Sequence, residues 1–402
     1  MKILITGGSG FLGKRLLAHL LKVGKVEIAE ESVDIDTITV FDSCAMDSMA
    51  QDPRVMKIQY SGYKSRRMTN PKMKFNRISH WKIFCLFVVL SLACRLPAQA
   101  KIPVILSTDV GNEVDDQWAI AYLLTNPQFE VLGILSAHAP TLPDPSAHTT
   151  YLVLLDEVEN RLGMVTHPPL LEGSNLPLED TKVLRNNAAV GFIEQSSKKF
   201  SKDNRLTVLT IGAATDVASA ILVDPSIADR IQVVAMGFNS WADGGNEYNV
   251  ENDPKAWQVI LRSNVPVVIG SGNVCRAYLG LTFDQARELI SNHGPVGEWL
   301  WDQYQAWYFR YVKPLRKDDF TKPSVVWDII TMAYLLKMTG QEVYPRPELK
   351  DDLTFDHIQT EQSITWITAV DQKRLWADFV TNLDTYQQTH AVGRGEQKAF
   401  LP

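Results

Sequence analysis

The chain has 402 residues, of which 45% are hydrophobic, and a formal net charge of −6. This length allows one large core or two domains, and the mildly acidic balance gives no electrostatic reason to expect a nucleic-acid partner. Its four cysteines are widely spaced and form no CxxC pair, so neither a zinc site nor a disulfide framework is indicated.

Residues 1–55 have the pattern of a partial NAD-binding, Rossmann-like fragment. An apolar run is followed by Gly7, Gly10 and Gly13, a spacing that lets a pyrophosphate approach a helix N-terminus. The next predicted strand ends in Asp42, an acid suited to a ribose hydroxyl. The stretch resembles the opening of an extended short-chain dehydrogenase or epimerase. Because two strands and a helix cannot bury a stable core alone, we interpret it as a remnant and not as an active oxidoreductase.

Residues 73–100 have the layout of a secretory signal peptide. Residues 73–82 are basic, residues 83–93 are apolar, and Ala98-Gln-Ala100 has the small-x-small form of a cleavage site. The apolar run is too short to span a bilayer comfortably, so we expect no stable membrane span. If translation starts at Met73, the protein is expected to be secreted or periplasmic. The alternative is a buried element that joins two domains.

In residues 101–402, apolar runs alternate with helical patterns, which predicts a separate α/β domain. The predicted strands are residues 104–106, 131–136, 206–211, 231–236 and 265–269. The predicted helices are residues 118–125, 147–162, 187–198, 216–222 and 255–262. This alternation predicts a mainly parallel sheet with helices on both faces, in which ligands bind beyond the carboxyl ends of the strands.

The first predicted strand of this domain ends in an acidic loop. Residues 107–116 read Ser-Thr-Asp-Val-Gly-Asn-Glu-Val-Asp-Asp, with no Lys or Arg among Asp109, Glu113, Asp115 and Asp116. Like charges this close oppose their own ionisation unless a cation compensates. Carboxylate oxygens suit a hard divalent ion, Ca²⁺ or Mg²⁺, better than zinc. The alternative is that Asp115 and Asp116 only favour a helix N-terminus.

The acidic loop also resembles a family signature. It is similar to the Asp-Thr-Asp-Ile-Gly-Asn-Asp-Ile-Asp-Asp variant found in inosine-uridine-preferring nucleoside hydrolases, with Ser107 and Glu113 at two of its aspartate positions. Three later elements follow in the family's order, over roughly residues 102–402. Residues 206–218 resemble its strand–loop–helix element, Glu247-Tyr-Asn249 resembles its Glu-Phe-Asn element, and Trp327-Asp328 stands where the family has His-Asp.

The resemblance implies calcium-dependent hydrolysis of the N-glycosidic bond of ribonucleosides, with release of base and ribose. It implies that the carboxylates of Asp109, Asp116 and Asp328 and the carbonyl of Ile211 hold Ca²⁺, and that Asp109 is also the general base. The expected partner is a small-molecule nucleoside, and assembly into a homo-oligomer stays open.

The same resemblance implies the sugar contacts. Asp115 and Asn249 would hold ribose hydroxyls, and Glu247 would bind the far end of the ribose. From the residues alone, the Gly-rich stretch that contains Glu247 and Asn249 favours an ordinary polar turn.

Two departures from the family concern the leaving base. Trp327 replaces the family's His, and an indole can stack on a base but cannot transfer a proton to it. Residues 136–140 replace a loop that usually ends in Gly-Asn. His138 in this loop could supply an acid, although a lone His is more often structural. The leading alternative is therefore a nucleoside- or ribose-binding protein of the same fold that has lost turnover. An NAD-dependent enzyme, the third hypothesis, depends only on residues 1–55.

The C-terminal part adds no interpretable motif. Residues 298–311 carry aromatic side chains at helical spacing, which favours a core helix over a base-stacking wall. Residues 351–370 are strand-rich, and residues 372–382 predict a final helix.

Overall fold

The chain divides into two units, Met1–Ser91 and Leu92–Pro402. The computed structural model describes residues 2–6, 25–28, 31–34, 37–42, 55–59, 100–316 and 319–397. The strands of the first unit are β1 (Lys2–Thr6), β2 (Lys25–Ile28), β3 (Glu31–Asp34), β4 (Thr37–Asp42) and β5 (Val55–Gln59). Strands β1, β4 and β5 form a parallel sheet in that order, and β2 pairs antiparallel with β3.

This first unit contains one more parallel strand than the two that we predicted. The additional strand, Val55–Gln59, begins at the last residue of the predicted fragment. Asp42 is the last residue of β4. Gly7, Gly10 and Gly13 lie outside the described residues, as do residues 73–99, so the pyrophosphate site and the signal peptide stay predictions.

An eight-stranded sheet forms the centre of the second unit. Its strands are β6 (Ile102–Thr108), β7 (Phe129–Ser136), β8 (Leu170–Glu172), β9 (Leu206–Thr210), β10 (Ile231–Met236), β11 (Val267–Gly270), β14 (Thr339–Pro345) and β17 (Ser363–Val370). The strand order is β14-β17-β11-β10-β9-β6-β7-β8. Every neighbouring pair is parallel except β14 with β17. The predicted mainly parallel sheet is therefore confirmed.

Four short strands form two antiparallel pairs outside this sheet. They are β12 (Gly280–Leu281) with β13 (Ser324–Val325), and β15 (Glu348–Leu349) with β16 (Phe355–Asp356).

Helices connect the strands. They are α1 (Asp115–Thr125), α2 (Ser146–Asp156), α3 (Ala188–Ser197), α4 (Thr215–Val223), α5 (Tyr248–Asn252), α6 (Pro254–Arg262), α7 (Gly272–Tyr278), α8 (Phe283–Ile290), α9 (Gly294–Trp307), α10 (Lys313–Arg316), α11 (Ile330–Leu335) and α12 (Gln372–Gln397). Among the helices of the described residues, none combines the length and hydrophobicity that crossing a bilayer requires.

Two hydrophobic cores cover the two faces of the sheet because successive strand residues point to opposite faces. In β6, Val104 and Leu106 belong to one core, with α1 and α12, whereas Ile105 belongs to the other, with α3, α4 and α6. Both cores are formed by buried side chains, and Trp118 and Trp257 are among the largest that are fully buried. Helices on both faces hold the carboxyl ends of the parallel strands at one edge.

The aromatic segment of residues 298–311 packs in the core through part of its rings, while Phe309 and Tyr311 are 42% and 50% exposed. Tyr304 and Tyr308 are each 1% exposed. The Tyr304 ring contacts Trp118 edge-on at a centroid distance of 5.9 Å. These rings therefore anchor α9 against α1, and none of them lines the cavity described below.

Arg346 is a buried cation, and its loss should destabilise the eight-stranded sheet. Its guanidinium donates hydrogen bonds to the carbonyls of Ser263 (2.7 Å), Val265 (2.9 Å) and Ser363 (2.8 Å), and burial lowers its pKa to about 10. We expect Arg346→Met to lower the free energy of unfolding by about 2–3 kcal/mol, because buried carbonyls lose their donors. Urea unfolding measures this. The exposed Arg287 gives the matched control Arg287→Met, and an equal change in both variants would contradict the prediction.

Candidate active site

A cavity of about 270 Å³ opens where the parallel strands end. Asp109 follows β6, Ile211 follows β9, Met236 ends β10 and Gly272 follows β11, and all four residues line it. Trp327 and Asp328, just before α11, complete the wall. The position agrees with the expectation that ligands of a parallel sheet bind at the carboxyl ends of its strands.

Three carboxylates, two adjacent in sequence and one from a distant segment, meet in this cavity. One oxygen from each of Asp115, Asp116 and Asp328 lies within 4.8 Å of the other two, and all three residues are buried. Asp115 and Asp116 open α1, where Gly111 provides the turn with a φ of +101°. The backbone N–H of Trp327 donates to Asp115 Oδ2 at 3.2 Å, which joins the two segments.

Asp109 lies in the same cavity and is 2% exposed. Its Oδ2 atom has no hydrogen-bond partner among the described residues. Burial, followed by the charge of Asp115, raises the pKa of Asp109 well above its usual range. A Cβ atom on Gly212 would lie 2.9 Å from both the backbone N and Oδ1 of Asp109, so only glycine lets the loop after β9 approach this closely.

The electrostatics of the four carboxylates fit a bound cation. Within the described part of the chain, no salt bridge reaches Asp109, Asp115, Asp116 or Asp328. Burial raises the pKa of Asp115 to about 6 and raises the pKa values of Asp116 and Asp328 well above the usual range. Buried carboxylates without a counter-ion are costly unless they bind a metal, and oxygen ligands suit a hard divalent ion.

Asn249 connects the cavity to two strand ends. Its side-chain amide donates hydrogen bonds to the carbonyls of Ile211 (3.2 Å) and Met236 (3.4 Å). This orientation leaves Oδ1 of Asn249 without a donor among the described residues. That oxygen can accept a hydrogen bond from a ligand hydroxyl.

Glu247 caps the short helix α5. Its Oε1 accepts from the backbone N–H of Asn249 at 3.1 Å and its Oε2 from that of Val250 at 3.2 Å. Burial raises the pKa of Glu247 to about 8. The cap fixes the carboxylate at the cavity wall, where it can meet a hydroxyl.

A hydroxyl network that the sequence did not reveal ties three loops at the rim. The Thr141 hydroxyl hydrogen-bonds Asn112 Oδ1 and lies 3.0 Å from the Tyr248 hydroxyl, which donates to Asn112 Oδ1 at 3.3 Å. Asn112 and Tyr248 line the cavity. Thr141 follows directly after residues 136–140, the loop that departs from the family pattern. This loop therefore supports the rim through Thr141 without lining the cavity.

His138 is not among the residues that line the cavity, so its expected contact with the substrate stays a prediction that the cavity geometry does not support. It is 3% exposed, and its Nε2 lies 3.0 Å from the hydroxyl of Thr215, which donates to Asp253 at 2.6 Å. Burial lowers the pKa of His138 to about 4. A neutral, buried ring in a hydrogen-bond network has a structural role. No signal in the sequence separated the two roles.

The other predicted residues come together as expected. Apart from His138, every residue predicted for the site of this domain lines the cavity: Asp109, Asp115, Asp116, Ile211, Glu247, Asn249, Trp327 and Asp328. Arg276 was not predicted, and its guanidinium carbon lies 5.7 Å from the centroid of the Trp327 ring.

The comparison with protein families decides the classification. Residues 104–377 match the model of the family described as inosine-uridine preferring nucleoside hydrolase. The chain belongs to this family. The nucleoside hydrolase match covers both the acidic loop and Asp328, and so includes every residue of the cavity described above.

Individual relatives of this nucleoside hydrolase family member are distant. A protein of Escherichia coli O1:K1 named pyrimidine-specific ribonucleoside hydrolase RihA is 25% identical over 195 residues, which are 43% of this chain and 61% of the relative. A protein of the same name from Escherichia fergusonii has the same identity and coverage. The chain therefore matches 61% of the length of these curated relatives.

Solved structures show the nucleoside hydrolase fold. A plant nucleoside hydrolase has a TM-score of 0.58 at 18% identity and covers 70% of this chain and 99% of its own. A purine-preferring ribonucleoside hydrolase from Gardnerella vaginalis has a TM-score of 0.56 at 22% identity and covers 71% of this chain and 98% of its own. The nucleoside hydrolase-like α/β fold predicted for residues 101–402 is thus confirmed.

Proposed function

We propose that the protein hydrolyses the N-glycosidic bond of ribonucleosides, releasing base and ribose, with Ca²⁺ as its divalent ion. The observation that supports this most is the meeting of Asp109, Asp115, Asp116 and Asp328 in one cavity, with a buried oxygen of Asp109 unpartnered. Such a set of oxygens, none of them in an ion pair among the described residues, is suited to a hard cation and to a polar sugar. Family membership agrees with the same chemistry.

The ligand assignment follows the cavity wall. Asp109, Asp116 and Asp328 would hold the cation together with the carbonyl of Ile211. The three carboxylates whose oxygens meet are Asp115, Asp116 and Asp328, while Asp109 and Ile211 line the same cavity. A divalent ion at this place would supply Lewis acidity toward water and the ribose hydroxyls. Without a cation, the carboxylates would repel one another because their charges are alike, and they would bind a sugar poorly.

The residues of the chain perform the remaining steps. Asp109 accepts the proton of the attacking water through its free oxygen, and Asp115 and Asn249 orient the ribose hydroxyls. Glu247 contacts the far end of the ribose. The surrounding carboxylates stabilise the positive charge that develops on the sugar as the bond to the base breaks.

Base preference does not transfer from the relatives. The Escherichia coli proteins are named pyrimidine-specific, and the Gardnerella vaginalis protein is named purine-preferring. Both are at or below 25% identity to this chain. We therefore propose ribonucleosides as the substrate class without choosing a base.

The second candidate is a nucleoside-binding protein without turnover, and Trp327 favours it. The side chain that would protonate the leaving base in the family is an indole here, and His138 does not replace it. Such a protein would keep the ribose contacts of Asp115 and Asn249.

A nucleoside panel separates the two candidates. The full chain is incubated with uridine, cytidine, inosine, guanosine and adenosine in CaCl₂ or in excess chelator, and free ribose is measured. Ribose release that requires the divalent ion supports the hydrolase. Binding of a nucleoside without any ribose release would support the binding protein and overturn the proposed reaction.

Gly212 offers a test of the site geometry. We expect Gly212→Ala to lower kcat for ribose release by about tenfold or more, because a Cβ there displaces Asp109 and small displacements of catalytic groups are costly. The matched control is Gly191→Ala in α3, where a Cβ meets nothing within 4 Å. That control should stabilise the fold by about 0.5–1 kcal/mol and leave kcat unchanged. Equal kcat values for the two variants would contradict the prediction.

A further inference from the structure

Arg276 is the only basic side chain among the described residues that line the cavity. All other ionisable groups in that wall apart from the Tyr248 hydroxyl are carboxylates: Asp109, Glu113, Asp115, Asp116, Glu247 and Asp328. Binding of a neutral sugar does not require a basic side chain in this acidic wall. Arg276 marks a place where the substrate presents hydrogen-bond acceptors or develops negative charge.

Arg276 is exposed, and two amide side chains contact one end of its guanidinium. Its Nη2 donates to Asn239 Oδ1 and, at 2.7 Å, to Asn273 Oδ1. A Cβ on Gly272 would lie 3.3 Å from Nη1, so the glycine leaves room for the group. Two neutral amide acceptors position the cation without neutralising it.

The remaining donors of Arg276 are available to a ligand. Within the described residues, neither Nε nor Nη1 donates a hydrogen bond to the protein. The guanidinium carbon lies 5.7 Å from the centroid of Trp327, at the residue that replaces the family's His. The guanidinium lies over this ring in a cation–π contact, and its free donors can reach the acceptor atoms of a base held at this wall.

We propose that Arg276 contacts the leaving base and stabilises the negative charge that it acquires, so that the base departs as an anion. This inference rests on the proposed function. A guanidinium is always protonated in proteins, so Arg276 acts by hydrogen bonding and charge and not by proton transfer.

The proposed step balances without a protein acid. The bond from the sugar C1′ to the base nitrogen breaks, and its electron pair stays on the base. The water oxygen bonds to C1′ and its proton goes to Asp109. The base anion, hydrogen-bonded to Arg276, then takes a proton from solvent at the open mouth of the cavity.

Departure of the base as an anion favours one class of nucleosides as substrates. Bases whose oxo groups delocalise an anion, such as uracil and hypoxanthine, should leave faster than adenine or cytosine. A phosphate on the ribose is not favoured, because Glu247 and the other carboxylates repel it.

The experiment compares Arg276→Gln with wild-type full chain on uridine, inosine and p-nitrophenyl riboside. The last substrate has a leaving group that is already a stable anion. We expect kcat/KM on uridine and inosine to fall by about 10²–10³-fold, as for loss of one donor to developing charge, with most of the activity on p-nitrophenyl riboside retained. The control Arg287→Gln changes an exposed arginine outside the cavity and should match wild type. Melting temperatures check that all variants fold.

Other outcomes overturn the inference in distinguishable ways. Equal losses on all three substrates would assign Arg276 to sugar binding or positioning. Unchanged activity of Arg276→Gln, with active wild type, would remove Arg276 from the reaction and leave the proposed function intact. A wild-type protein that cleaves no riboside would overturn the proposed function together with this inference.

Discussion

Replacing Asp109 with asparagine is expected to lower kcat for ribose release by about 10²–10⁴-fold, the usual contribution of a general base. The amide cannot accept a proton from water, and it also weakens a cation site that depends on carboxylate charge. Asp109 is buried and its Oδ2 has no partner, so removing its charge should not destabilise the cation-free fold. Initial rates on the most reactive nucleoside measure the effect.

The controls for Asp109 separate chemistry from folding. The exposed Asp203 provides Asp203→Asn, which makes the same chemical change away from the cavity and should keep wild-type kcat. Chelator-treated Asp109→Asn should unfold at a temperature no lower than that of chelator-treated wild type. Unchanged turnover in Asp109→Asn would exclude Asp109 as the base, and unfolding of this variant would contradict the account of its burial.

We expect the free energy of unfolding of the cation-free protein to depend on pH, and we expect Ca²⁺ to reverse this dependence. In the cation-free protein, burial raises the pKa of Asp115 to about 6 and that of Glu247 to about 8. Both values lie above those of the unfolded chain, so between about pH 4 and pH 8 the folded chain binds more protons than the unfolded chain. The free energy of unfolding in chelator should therefore fall as pH rises through this window.

Calcium should oppose this loss because it binds the deprotonated carboxylates. At a free concentration about 100 times its Kd, the ion should add about 2.7 kcal/mol to the free energy of unfolding at pH 8. At pH 5, protons compete for Asp115 and the gain should be smaller. Thermal unfolding with and without CaCl₂ at both pH values gives the comparison. An equal shift at pH 5 and pH 8, or none at either, would contradict a site made of these carboxylates.

The central strands could be predicted from sequence because of where they lie. Strands β6, β7, β9, β10 and β11 are covered by helices on both faces, and such strands appear as continuous apolar runs. Strand β10 was predicted with the bounds Ile231–Met236 that the structure has. The predicted helices between residues 118 and 262 were close as well, although residues 157–161 continue α2 as a π-helical turn. The final helix was predicted over residues 372–382 but extends over Gln372–Gln397.

The edges of the sheet could not be predicted in the same way. Strand β14 reads Thr-Gly-Gln-Glu-Val-Tyr-Pro and is largely exposed, so it has no apolar pattern. It forms a strand because its backbone pairs antiparallel with β17. Strand β8 has only three residues. Strand order is likewise a tertiary property, set by packing between segments distant in sequence.

The candidate site likewise combines residues that are close in sequence with residues that are distant. Asp109, Asp115 and Asp116 lie within eight residues of one another, so their chemistry was visible as a pattern. Asp328 joins them from the start of another helix, and only the family resemblance linked it to them. Arg276 lies on α7 with no distinctive neighbours. Its one available signal was its place shortly after β11, at the carboxyl end of a parallel strand.

We propose that residues 109–116 and Asp328 form one site that binds a divalent cation together with ribose. Calorimetric titration of the chelator-treated full chain with CaCl₂, with and without saturating ribose, tests this proposal most directly. We expect one Ca²⁺ site per chain, tighter binding when ribose is present because the two ligands are linked, and strong weakening in Asp328→Asn. Absence of Ca²⁺ binding by the wild type, or an affinity that neither ribose nor Asp328→Asn changes, would contradict it.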